Sequence, residues 1–227
     1  MKLIYNSFME NNGKIFFSVI IPTLNEEEHI PLLLADLKNQ TFRNFEVIIV
    51  DGKSKDKTAE IAKKNGAKVL ISTKRNVSYQ RNLGAEVSEA SWLVFMDADN
   101  RISKTFLKKI LSYLEKNNVD ILSTWLSPDS ESDKDKLIAT AMNIFMEINK
   151  NSKKPYVMES MLIIKNSAFK LLGGFNPKIP WSEGQDLLQR ARKLNLKFSF
   201  IRNPKYTYSF RRLKKMGTLN VLWETSQ

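Results

Sequence analysis

Trp92-Leu93-Val94-Phe95-Met96-Asp97-Ala98-Asp99-Asn100 is a short apolar run that ends in two carboxylates one residue apart. The run is too short for a helix and reads as a strand buried on both faces, of the kind found inside a parallel sheet. Acids at the carboxyl end of such a strand stand at the crevice where open α/β sheets bind ligands. Asp97 and Asp99 leave the strand close together, and adjacent carboxylates repel unless a cation lies between them. A divalent metal held by one or two carboxylates, with water and substrate phosphate in its other positions, answers that repulsion. The competing reading is a surface turn, where Asp and Asn are common for local reasons.

Outward from this strand, the chain alternates between two periodicities. Residues 16–21 and 45–50 read as strands rich in β-branched and aromatic side chains. Between them Ile30, Leu33, Leu34 and Leu37 recur at helical spacing. Residues 58–65 predict a helix stopped by Gly66, and residues 68–71 a short strand. Residues 79–87 predict a helix leading into the Trp92 strand. Ser103 is the expected N-cap of a further helix, whose apolar face carries Phe106, Leu107, Ile110, Leu111 and Leu114. The polar run at 127–133 reads as a loop. This βαβα order predicts an α/β fold, a single domain with a mostly parallel sheet covered by helices on both faces. Residues 1–13 are a short N-terminal extension.

Composition narrows the chemistry. The 227 residues include no cysteine, which excludes disulfides, zinc-thiolate sites and thiol nucleophiles. The only histidine, His29, argues against His-cluster metal sites and a Ser-His-Asp triad. A net charge of +12 favours anionic partners such as nucleotides, phosphates, nucleic acid or an acidic membrane face, without choosing among them. No stretch is long and apolar enough to span a bilayer, and the N-terminus lacks a signal peptide's layout. The expected location is cytoplasmic, or peripheral on the cytoplasmic face of a membrane.

The loops that follow the first two strands, Pro22-Thr23-Leu24-Asn25-Glu26 and Asp51-Gly52-Lys53-Ser54-Lys55-Asp56-Lys57-Thr58, are expected at the same sheet edge as Asp97. Asp51 is suited to accept hydrogen bonds from a base or ribose, and Gly52 lets backbone approach a ligand. The plain alternative is a turn with a helix cap from Asp56 or Ser54. Neither loop has the glycine spacing of a dinucleotide fold or a P-loop.

These segments, with Gln80-Arg81-Asn82-Leu83-Gly84-Ala85, Gly173-Gly174-Phe175-Asn176 and Glu183-Gly184-Gln185-Asp186-Leu187 plus Arg190, resemble the family 2 glycosyltransferases of the GT-A fold. The ordered matches run from about Ser18 to Arg212. The resemblance implies a Rossmann-like GT-A domain at 14–212, with a nucleotide-sugar half at about 14–100 and an acceptor half at about 101–212. It implies inverting transfer of a sugar from a nucleotide-diphosphate sugar to an acceptor hydroxyl, on a glycan, a lipid-linked carrier or another molecule. Mg²⁺ or Mn²⁺ on the diphosphate would neutralise the charge that builds on the leaving group. Asp99 and Asp97 are then the metal residues; Pro22, Thr23, Glu26, Asp51, Arg75, Arg81, Asp97, Arg211 and Arg212 are the donor-binding candidates.

The chain departs from the family pattern twice. Gly52 stands where many relatives have a second Asp, and Gly184 stands where the base normally sits. The catalytic carboxylate is therefore expected to be Asp186 or Glu183, with Asp186 favoured and Glu183 orienting; the plain alternative for Asp186 is a helix cap. Residues 213–227 form a basic tail in which Leu213, Met216, Leu219, Leu222 and Trp223 recur near helical spacing. Such a tail suits packing on its own domain or peripheral contact with an anionic membrane. A sugar-phosphate nucleotidyltransferase and a nonenzymatic nucleic-acid-binding module stay open as alternatives. The first lacks its Gly-rich, Arg-containing loop, and the second is opposed by acids at several strand ends.

Overall fold

β1 (Phe17–Thr23), α1 (Ile30–Lys38), β2 (Phe45–Asp51), α2 (Thr58–Lys64), β3 (Lys68–Ile71), α3 (Val77–Glu86) and β4 (Trp92–Met96) follow one another in the order that the periodicity predicts. The computed structural model describes residues 14–179 and 182–211. All of β4 is buried, and only Pro22 of β1 is partly open, as a strand covered on both faces requires. β1 pairs in parallel with β2 on one side and β4 on the other, and β2 pairs in parallel with β3. The register sets Thr23 beside Asp51, so the loops leaving β1, β2 and β4 open at one edge.

The second half comprises β5 (Arg101–Ile102), α4 (Phe106–Leu114), β6 (Ile121–Pro128), α5 (Asp133–Asn149), β7 (Met161–Lys165), α6 (Asn166–Leu171), α7 (Glu183–Lys193) and β8 (Phe198–Tyr208). The sheet runs β3-β2-β1-β4-β7-β6-β8-β5. β7 is antiparallel to both β4 and β6, β6 is parallel to β8, and β5 is antiparallel to β8. The chain is thus a single α/β domain with a mostly parallel, mixed sheet. One register has consequences for the site: Met96 lies opposite Met161, so the residues entering β7 stand beside those leaving β4.

Three local expectations are corrected. Ser103 does not cap α4, which starts at Phe106 after Thr105 without a side-chain cap. Its first turn is closed by buried Gln40, whose Oε1 accepts from Leu107 N at 3.0 Å and whose Nε2 donates to Ser103 O at 2.8 Å. A distant side chain meets the orphan donor that a local hydroxyl was expected to meet. The run at 127–133 is not all loop, since β6 continues to Pro128 and α5 begins at Asp133. α3 begins at Val77, two residues before the expected start, because the Asn76 side chain accepts from Tyr79 N at 2.8 Å.

Candidate active site

Asp51 is almost fully buried at the end of β2. Its Oδ1 accepts from Thr23 Oγ1 at 3.1 Å and its Oδ2 from Ser54 N at 2.8 Å, so the carboxylate shapes its own loop. Ser54 Oγ accepts from Asn25 N at 2.9 Å, and Thr58 Oγ1 from Glu26 N at 2.8 Å, binding the β1 and β2 loops together. Asp56 accepts from Thr58 N at 3.0 Å, but the N-cap of α2 is Lys57 without a side-chain cap, so neither Asp56 nor Ser54 stands at the cap position. Asn25 and Lys53 both sit at positive φ (56° and 63°), a strained backbone that clusters at ligand sites. Arg75, exposed, donates to the carbonyls of Gly52 and Lys53 at 3.3 Å each.

Two arginines hold the carboxylates that leave β4. Arg81, on α3 and only 3% exposed, donates to Asp97 Oδ1 at 2.9 Å and to Glu183 Oε1 at 2.6 Å, with its guanidinium over the Phe175 ring. Its Nε has no partner among the described residues. Arg211, just beyond β8, contacts Asp99 Oδ2 at 3.0 Å and Glu26 at 2.8 Å, and lies 3.3 Å from His29 Nε2. The end of β8 is anchored there by Asp129, which accepts from Ser209 Oγ at 3.0 Å and Phe210 N at 3.1 Å. Burial and the neighbouring Asp97 hold the Asp99 carboxyl above the usual carboxylate range; Arg211 opposes this and Glu26 adds to it. A carboxylate in that state gains from any added positive charge.

On the other side of Arg81, α7 opens with Ser182 at φ 61° and presents Glu183 and Asp186 in its first turn. Asp186 Oδ2 accepts from both Nε and Nη2 of Arg190, at 2.9 and 2.6 Å. Arg190 also donates to the carbonyls of Leu172 and Gly174, which ties α7 to the loop after α6. Phe175, next in that loop, exchanges hydrogen bonds with the Asn82 side chain at 2.8 and 2.9 Å. A further carboxylate, Glu159, lies here and was not singled out in the sequence. Its Oε1 accepts from Gly184 N at 2.8 Å. The signal that would have found it is an acid just before the apolar run that forms β7. Nearby, Asn100 donates to the Ser160 carbonyl, so the turn after β4 is tied to the start of β7.

The structure therefore gathers Asp97, Asp99, Glu26, Arg81, Arg211 and Glu183 into one linked cluster, with Thr23 and Asp51 bound to the loop that carries Glu26. Pro22 lies partly open at the end of β1. Arg212 and the tail at 213–227 lie outside the described residues, as does the extension at 1–13. A cavity of about 280 Å³ lined by Lys150, Pro155, Leu188 and Phe198 shares no residue with this cluster.

A hard divalent cation such as Mg²⁺ or Mn²⁺ takes oxygen ligands, and Asp97 and Asp99 offer them, 37% and 15% exposed at the side chain. Among the described residues no group of three or more His, Cys, Asp or Glu is arranged to hold a metal. Two carboxylates fit a cation that takes its remaining ligands from water and substrate. Among the described residues no helix is long and apolar enough to cross a membrane.

Known proteins share this chain's sequence pattern and fold. Residues 18–172 match the family model "Glycosyl transferase family 2". The amylovoran biosynthesis glycosyltransferase AmsB of Erwinia amylovora is 29% identical over 221 residues, covering 86% of this chain and 69% of that protein. An uncharacterized glycosyltransferase of Haemophilus influenzae is 35% identical over 102 residues, covering 44% of this chain and 35% of its own length. The chain thus spans about a third of that relative. Among solved structures, S. aureus TarS 1–349 in complex with UDP-GlcNAc superposes with a TM-score of 0.72 at 24% identity, over 86% of this chain and 59% of that one. The mannosyltransferase PcManGT from Pyrobaculum calidifontis, in complex with GDP-Man and Mn²⁺, gives 0.67 at 17% identity, over 91% and 64%.

Proposed function

The chain belongs to glycosyl transferase family 2, and we propose that it transfers a sugar from a nucleotide-diphosphate sugar to an acceptor hydroxyl, inverting the anomeric centre with the help of Mg²⁺ or Mn²⁺. The observation that carries this reading is the cluster at the carboxyl end of β4, where Asp97 and Asp99 meet Arg81, Arg211 and Glu26. It is acidic enough to need a cation and carries arginines of the kind that grip phosphate oxygens in a planar fork. The relatives that are named as glycosyltransferases support the reaction class. The shared fold of TarS with UDP-GlcNAc, and of PcManGT with GDP-Man and Mn²⁺, agrees with the donor class and the metal.

The donor half, at about 14–100, works through its loops. Pro22, Thr23 and Glu26 line the nucleoside wall, Asp51 holds the Gly52–Ser54 turn in shape, and Arg75 braces that turn from outside. Asp99 and Asp97 are the metal residues; when bound, the ion would offset charge on the departing diphosphate. Arg211 exchanges its carboxylate partners for donor phosphate oxygens, with Arg212 next in the chain. The acceptor half, at about 101–212, presents Glu183 and Asp186, and the Arg81 and Arg190 pairs give both a positioning role. A membrane-bound acceptor is the role left for the tail at 213–227.

Calorimetry with UDP and GDP on the parent chain and Asp99→Ala, each with Mn²⁺ and with chelator, tests the reading. We expect one of the nucleotides to bind the parent with Mn²⁺ at least tenfold tighter than in the other three cases. Equal affinity in all four overturns metal bridging, and no binding in any overturns the donor class.

A further inference from the structure

A Cβ on Gly184 would lie 2.8 Å from both Cγ and Oε1 of Glu159 and 2.9 Å from Cγ1 of Val157. The carboxylate of Glu159 thus occupies the space in which a side chain on residue 184 would sit. The contact is specific, since the Gly184 amide donates to that same Oε1 at 2.8 Å. The space of the missing side chain at the start of α7 is filled by a carboxylate from the turn before β7.

Glu159 opens on the proposed reaction crevice. β4 and β7 pair as far as Met96 opposite Met161, which brings the turn carrying Glu159 and Ser160 to the end of β4 that Asp97 leaves. The bond from Asn100 to the Ser160 carbonyl holds the two segments there. Part of the Glu159 surface remains open to solvent, as access to an acceptor requires.

The other acids of the cluster are engaged. Glu183 and Asp97 share Arg81, and Asp186 is held by Arg190. An oxygen of each already accepts from a guanidinium group and is not free to accept from an acceptor hydroxyl. Among the described residues no lysine or arginine stands within ion-pair distance of Glu159. The groups that face it are Glu183, Arg81 and Tyr156. Burial pushes its carboxyl up to about 7, Glu183 adds to the rise and Arg81 opposes it. A base poised near the working pH combines the right charge state with the drive to take a proton.

We propose that Glu159 is the general base of the sugar transfer, an assignment that rests on the transferase reading above. As the acceptor oxygen bonds to the anomeric carbon, its proton passes to the Glu159 carboxylate. The bond from that carbon to the diphosphate breaks, and its electron pair leaves on the phosphate oxygen. Glu159 then returns the proton to water. Glu183 and Asp186 position α7 through their arginines.

Nucleoside diphosphate release from UDP-GlcNAc, UDP-glucose, UDP-galactose and GDP-mannose with Mn²⁺, water serving as acceptor, provides the test. Glu159→Gln keeps the shape and an acceptor oxygen for Gly184. It should lower release from the donor that the parent uses by about two to four orders of magnitude. Donor Kd should stay within about twofold and Tm at or above the parent's, as expected of a proton-transfer step in a correctly folded variant. The parent's acidic limb near pH 7 should vanish in Glu159→Gln. The triple variant Glu159→Ala, Val157→Ala and Gly184→Asp, which also clears the Val157 Cγ1 that a Cβ on residue 184 would meet at 2.9 Å, moves the carboxylate to residue 184 and should recover at least tenfold over Glu159→Ala with Val157→Ala. A merely structural role predicts no such recovery. Near-parental release by Glu159→Gln, or a limb near pH 7 that survives the substitution, overturns the assignment and leaves the transferase reading standing. A parent that neither binds nor cleaves any of the four donors overturns both.

Discussion

Nε of Arg211 stands 3.0 Å from Oδ2 of Asp99 while its Nη2 contacts Glu26 at 2.8 Å, so one guanidinium neutralises the acids on which a metal and diphosphate would have to land. The contact spans 112 residues of sequence, from the turn after β4 to the end of β8. It gives the C-terminal end of the described chain a direct electrostatic stake in the proposed donor site. Arg211 is 46% exposed, so the bond is partly screened by water and weaker than a buried pair.

Removing that guanidinium should free negative charge for a cation while depriving a diphosphate of a partner. For Arg211→Gln we expect Mn²⁺ alone to bind about two- to fivefold tighter, the range of a partly exposed ion pair. Nucleoside diphosphate, added with saturating Mn²⁺, should bind weaker by a similar factor. Calorimetry of both ligands separates the effects by sign. If Mn²⁺ binding weakens as well, Arg211 does not compete for the metal carboxylates.

Stability should respond to pH in the direction opposite to activity, and both through Glu159. Its carboxyl titrates near the ordinary glutamate value of about 4.3 when unfolded, and up to about 7 in the fold. Between those values the folded chain binds more protons than the unfolded one, so stability from this group is whole below the window and lost across it as pH rises. The parent should lose on the order of 3 kcal/mol relative to Glu159→Gln between about pH 4.5 and 7.5. Urea unfolding of the two proteins across that range gives the difference directly, since all other groups titrate in both. A constant difference would show that Glu159 titrates at its ordinary value. Turnover, which needs the anion, should rise through the same window.

The fold was legible where it depends on local pattern. Strands ending at Thr23, Asp51 and Met96 and the helices between them follow from periodicity, and the crevice follows from parallel order. What sequence could not show was supplied by distant side chains. Gln40 replaces Ser103 at the start of α4, a substitution invisible to any local rule. Gly52 reads as a missing acid, yet its Cβ would meet Gln80 Nε2 and Thr23 O at 3.2 Å each. Buried Gln80 donates to the carbonyls of Thr23 and Val50, at 3.0 and 2.7 Å, and crowds the space a larger residue 52 would need. Likewise Asp186 and Glu183 were found as acids at a helix start, but their arginine partners become visible only in three dimensions. Glu159 escaped because its partner across the fold is a glycine amide.

Arg81 is the residue whose loss the structure should tolerate least. It is 3% exposed, joins Asp97 at the end of β4 to Glu183 at the start of α7, and packs over Phe175, which is itself wedged against Phe95 and Phe169. Arg81→Met keeps the length and apolar stem but leaves Glu183, 8% exposed, without its cation and close to Glu159. Breaking a buried pair in this way costs about 3–5 kcal/mol, because the remaining charge is left uncompensated. The asymmetry between partners checks the cause. Asp97 is 37% exposed, so Asp97→Asn should cost about 1 kcal/mol or less, in the range of exposed pairs. Adding Glu183→Gln to Arg81→Met removes the stranded charge and should recover at least about 1 kcal/mol relative to the sum of the single changes. Urea unfolding of the four variants at neutral pH completes the cycle. Strict additivity would mean that Arg81 stabilises the domain through its packing on Phe175, with the charges contributing nothing between them.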